Sequence, residues 1–164
     1  MRESIGSTWI FMLVISFTFI FTGFLVLSLN YSKAYKIKNE VTSIIEKYEG
    51  LTNADPYNNK GSIKIINQYL SNSGYNSKGA CQIGDYAAHD LYDYSLTEIT
   101  NTNNKEKFYY CITIEKNNNC TTTFYVKIFY DFNLPILGQL QKQSITGHTT
   151  ELYNAYLIDE VISC

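Results

Sequence analysis

Asp85, His89 and Asp93 stand four residues apart, and on a helix that spacing would put two carboxylates and an imidazole on one face, a set able to hold a metal ion. Three such residues without a fourth ligand or a hydrogen-bonded outer shell more commonly make a solvated polar face, and that reading is preferred. His148 falls in a strand or at its edge, and no local motif supplies it with an activated serine or cysteine, so a structural role is expected. The acids Asp131, Asp159 and Glu160 lack any context that marks a cleft or a raised pKa, and glycine-rich phosphate loops do not occur. The expectation is a non-enzymatic protein with no cofactor and no small-molecule substrate.

The remaining reactive side chains are four cysteines, Cys81, Cys111, Cys120 and Cys164, all beyond the hydrophobic N-terminal segment. An even number in an anchored domain fits a two-disulfide framework outside the cytosol, against the alternative of four buried thiols. Metal ligation is weaker because no C-x-x-C or histidine-rich spacing occurs. A hairpin reflected about Asn118 sets Cys111 opposite Tyr125, which disfavours a Cys111–Cys120 bond. Of the three connectivities, Cys81–Cys111 with Cys120–Cys164 is the expected one, the second tying the terminal residue to the sheet.

These residues need elements to hold them, and the first is apolar. No charged residue occurs between Ser4 and Ser32, and Trp9 to Leu29 is a near-unbroken apolar run, long enough to cross a hydrocarbon core of roughly 30 Å. Trp9 and Tyr31 sit at its two ends as interfacial aromatics. A cleaved signal peptide competes, since Ser32, Lys33 and Ala34 offer small residues at a cleavage site, but the apolar core of such a peptide normally runs only about 7–15 residues. Lys33, Lys36 and Lys38 follow the span while Arg2 precedes it, and read literally that bias puts the domain inside. The cysteines argue for the outside and are given the greater weight.

Beyond the span, Ala34, Ile37, Val41, Ile44, Ile45 and Tyr48 recur at three- and four-residue spacing, which continues the same helix as an amphipathic one and marks a helix-packing or assembly face. Gly50 ends the stripe. The chain therefore divides into an N-terminal spanning segment (1–32), an amphipathic continuation (33–50) and an α+β globular domain (51–164). Within the domain, Ile63, Ile66, Tyr69 and Leu70 mark a short helix. From Phe108 the period becomes two, and alternation through Ile114 and again from Thr122 to Tyr130 gives a hairpin turning at Asn117–Asn119. Leu134-Pro135 ends the second strand and Ser144 to Tyr156 returns as a third, an antiparallel meander.

The chain has 164 residues, room for one domain beyond the anchor. A net charge of −2 gives no counterion-release attraction to nucleic acid. Abundant tyrosine and phenylalanine with few charges fit a β-rich extracytoplasmic domain, although base composition of the coding sequence yields the same bias.

The layout resembles the type IV pilin superfamily, and its TadE-like pseudopilins in particular. The local likeness lies in the run Phe124 to Gly138, an alternating strand with a proline-containing apolar link, followed by Ser144 to Thr150. Gly6 and Ser7 before the apolar run are similar to the family's entry, where a prepilin peptidase cuts after the glycine; the acidic residue that pilins place shortly after the cut is Phe11 here, and Glu3 precedes the glycine. The resemblance implies a long helix with a small antiparallel sheet, a structural role in a surface pilus or secretion filament, and partners in the lipid bilayer and in other pilin-like or assembly proteins. The competing expectation is a membrane-tethered binding or sensing module whose tyrosine-rich segment Tyr86 to Tyr94 forms the ligand surface.

Overall fold

The structure of the chain, a computed structural model, describes residues 2–53, 61–101, 107–134, 138–158 and 160–162, with side chains for all of these except 2–7, 132–134 and 138–141. A single helix, α1 (Arg2–Lys47), carries both the apolar run and the stripe without interruption. At 1.5 Å per residue its 46 residues extend about 70 Å. From Thr8 to Leu29 the side chains are largely uncovered by protein, with Trp9 and Leu29 among the most exposed, and the best apolar window reaches a mean hydropathy of 2.6. From Ala34 onward one face is sealed: Ala34, Ile37, Val41, Ile44 and Ile45 are buried, and Tyr48 packs at the margin.

Beside α1, one short helix among the described residues packs into the core of the domain. Strand β1 (Gly50–Leu51) follows α1, then α2 (Ser62–Asn72), whose Ile63, Ile66 and Leu70 are buried. Strands β2 (Tyr86–Ala87), β3 (Thr97–Glu98), β4 (Tyr110–Lys116), β5 (Thr121–Leu134), β6 (Gly138–His148) and β7 (Leu152–Tyr153) form the main antiparallel sheet in the order β3-β2-β4-β5-β6, with β7 beside β5. A second, three-stranded sheet joins β1 in parallel to β8 (Tyr156–Leu157), which pairs antiparallel with β9 (Glu160–Val161). The core lies where α1 and α2 meet the inner face of β4 and β5, filled by Tyr110, Ile112, Phe124, Val126 and Ile128. This is the α+β, pilin-like arrangement of one long helix packed on an antiparallel sheet.

Several expectations are corrected in detail. The β4–β5 hairpin pairs Cys111 with Lys127 and Thr113 with Tyr125, a slide of two residues from a reflection about Asn118. The turn is centred on Asn119 rather than Asn118: Asn117 N–H donates to Thr121 O and Cys120 adopts φ 60°, and moving the centre by one residue shifts every cross-strand partner by two. Because side chains alternate with period two, a slide of two keeps every residue on its face. Gly50 is not the helix cap; Glu49 takes the left-handed conformation (φ 54°), and Gly50 is required because a Cβ there would sit 2.2 Å from Tyr156 O in the β1–β8 pairing.

The stripe expected to serve assembly is likewise corrected. Ala34, Ile37, Val41, Ile44 and Ile45 are consumed by the chain's own sheet and α2, so the face they form is intramolecular core and is closed to other subunits.

Candidate functional site

Asp85, His89 and Asp93 do not share a helix face, because the segment is extended and looped around β2. Asp85 is buried; its carboxylate accepts the Gln82 N–H at 2.7 Å and the Thr113 hydroxyl at 2.6 Å. The expectation of a wholly solvated trio therefore fails at Asp85, which pins the turn before β2 to β4. His89 is exposed with its ring edge-on to Phe108 at 6.0 Å, and Asp93 is exposed and accepts the Ser95 hydroxyl. His148 closes β6, exposed, with its ring 5.9 Å from that of Tyr125.

Cys81 and Cys111 are joined in a disulfide. Their sulfurs and the Asp85 carboxylate lie within 4.8 Å of one another, a cluster whose sulfurs are spent on each other rather than available as thiolates. Cys120 is also disulfide-bonded, and no cysteine among the described residues is free; Cys164 lies outside them. Gly6 and Ser7 fall within the helical backbone of α1, in the part whose side chains are not described.

The interior polar groups serve the fold. The Tyr110 hydroxyl donates to Asn67 Oδ1 at 2.8 Å in the centre of the core, and burial pushes its pKa far above the usual phenol range. The Tyr75 hydroxyl lies 2.8 Å from Phe129 O and 2.9 Å from Tyr109 O, and it accepts the Phe129 N–H at 2.9 Å; burial is again the main cause of its raised pKa. Both groups bind the loop and helix layer to β4 and β5. Asn67 and Tyr75 carry no signal in the sequence that marks them as buried hydrogen-bonding groups.

The arrangement with functional character is the junction of α1 with the domain. Protein contact begins abruptly one residue after the apolar run: Asn30 Nδ2 donates to Asp131 O, Tyr31 packs edge-on to Tyr130 at 6.2 Å, and Ala34 is sealed. Lys38 lies 4.3 Å above the Tyr35 ring, and its aliphatic stem covers Gly147 on β6. The helix is thus half a bare apolar rod and half a component of a hydrophobic core, with the changeover at Asn30. Comparison with known protein families, characterised proteins and solved structures finds no match for this chain.

Proposed function

We propose that the protein is a non-enzymatic, membrane-anchored pilin-like subunit of TadE type, stored in the membrane through residues 8–29 and acting in the structure or assembly of a surface pilus or secretion filament. The observation that carries this reading is the continuity of α1. A simple tether needs only the span, whereas here one rigid helix links an uncovered apolar half to a half that the domain is built upon. Bare apolar helices that emerge in a fixed orientation from their domains can pack side by side, and repeated heterologous contacts give open filaments.

The disulfides support an extracytoplasmic domain. The contrary bias of the lysines loses weight because Lys38 has a packing role against Tyr35 and Gly147. Retention of the span as an anchor is supported by Asn30, Tyr31 and Ala34, whose domain contacts would be severed by cleavage after Ala34. The alternative of a tethered binding module draws on one observation, the exposure of Ile83 and Tyr92 on the loops around β2.

No cysteine among the described residues is free, so a cysteine placed in the apolar half adds a thiol that has no partner within them. Phe17→Cys and Ile20→Cys chains expressed in the native host should form disulfide-linked dimers through their helices under mild oxidation. Monomers alone at every position from 12 to 24 would reject the filament reading in favour of the tethered module.

A further inference from the structure

Strands β5 and β6 run past the sheet they belong to. Strand β4 pairs with β5 from Lys116↔Thr122 to Tyr110↔Ile128, whereas the β5–β6 ladder continues through Phe132↔Leu140 to Leu134↔Gly138. Beyond Asp131 the two strands pair only with each other among the described residues, as a two-stranded arm. A lone pair of strands is marginal in water without an apolar surface to lie on.

The direction of the arm follows from the contacts of the hairpin with α1. Thr149 N–H donates to Phe124 O, and the next residue, Thr150, donates its N–H to Glu46 Oε1 near the end of the helix. Lys38 covers Gly147, the ladder partner of Val126, and Tyr130 and Asp131 meet Tyr31 and Asn30. Strand β5 therefore runs along α1 toward its bare apolar half, and Leu134 lies about 10 Å of strand beyond Asp131.

Polarity changes at the same level on both elements. Asp131 and Lys142, 3.8 Å apart, close the base of the arm, and no residue from Phe132 to Gln141 is charged. Phe132, Leu134 and Leu140 are apolar, and the sequence joins Leu134 to Gly138 through Pro135, Ile136 and Leu137. On α1 the bare apolar run ends at Leu29, and Asn30 bonds to Asp131 O. An uncharged arm that sets out along a bare apolar rod shares with it one apolar medium, the bilayer.

We propose that the β5–β6 arm beyond Asp131 is a second membrane contact, its end lying among the lipid headgroups and upper acyl chains beside α1. The inference rests on the anchored reading of α1. The outer edges of the arm carry N–H and C=O groups without ladder partners, which hydrocarbon would leave unsatisfied, so the arm stops at the interface, where water and headgroup oxygens reach them.

The full chain, disulfides intact, is placed one copy per nanodisc of phosphatidylcholine and phosphatidylglycerol, with a fluorescent dye on Leu134→Cys, Leu140→Cys, Phe21→Cys or Tyr153→Cys. Phe21 reports the rod, and Tyr153, exposed on β7 beside Thr121, reports the far end of β5. Dye at Leu134 and Leu140 is expected to be quenched about twofold more by nitroxides near the headgroup than by nitroxides at the chain ends, and shielded severalfold from aqueous iodide relative to Tyr153, as insertion by about 5–10 Å implies. The two sites stand on different strands, so a local disturbance at one leaves the other to decide. Iodide access at Leu134 equal to that at Tyr153, reproduced at Leu140 while lipid quenches Phe21, overturns the second contact and leaves the anchored subunit standing. Shielding from iodide without lipid quenching sets the arm against protein and overturns it equally. A Phe21 dye that lipid nitroxides do not quench overturns both readings.

Discussion

At the scale of single residues, the domain is organised by polar side chains that an apolar count overlooks. Tyr110 and Asn67 meet in the middle of the core, and replacing Tyr110 with Phe removes a buried hydrogen bond while leaving the Asn67 side chain unsatisfied. Chemical denaturation of Tyr110→Phe is expected to show a loss of about 1–3 kcal/mol. Burial raises the pKa values of Tyr110 and Tyr75 above the ordinary phenol value of 10.0. A group whose folded pKa is raised contributes stability that is complete below its unfolded pKa and is lost as pH climbs toward the folded one. Stability should therefore hold to about pH 10 and fall above it, with phenolate absorbance from these two residues appearing together with unfolding. The double variant Tyr75→Phe/Tyr110→Phe, though less stable at neutral pH, should lose less on going alkaline.

At the scale of elements, the sequence read well wherever a period was sustained. The apolar run and its stripe, the α2 pattern of Ile63, Ile66 and Leu70, and the alternation through β4 and β5 all appear as elements with the expected faces inward. What was illegible was short or non-local. Strands β2, β3, β8 and β9 have two residues each, too few for any period, and the parallel β1–β8 pair joins segments at opposite ends of the domain. The site around Asp85 was misread for the same reason: spacing of four has meaning only on a helix, and glycine and aspartate there favour a turn instead.

The disulfide Cys81–Cys111 compensates for this paucity of regular structure. It anchors the loop-rich stretch before β2 to the central strand β4 and closes a separation of 30 residues. The Cys81→Ser/Cys111→Ser variant is expected to lose about 3–4 kcal/mol, read as a lower denaturation midpoint. Asp85 bonds to Thr113 from the same stretch, so thermal scans of that variant should show the β2 region loosening first.

At the scale of the molecule, sidedness decides the functional reading. Labelling intact cells with a membrane-impermeant thiol reagent should give no signal before reduction, and after reduction a signal first at Cys120, which is exposed, then at Cys81, with the buried Cys111 last. Free thiols found only on lysis would place the domain in the cytosol and remove the filament proposal.

The unbroken α1 also makes the molecule a lever. It contains no proline, and beyond Gly23 no glycine, so nothing along its length from bilayer to core serves as a hinge. In the anchored subunit proposed above, a tilt of the rod by 10–20°, ordinary for spanning helices, would swing the end of α1, which extends about 27 Å beyond Leu29, by roughly 5–9 Å. Domain position above the membrane is thus geared to helix tilt, and whatever sets that tilt, lipid thickness or a neighbouring helix, steers the domain without touching it.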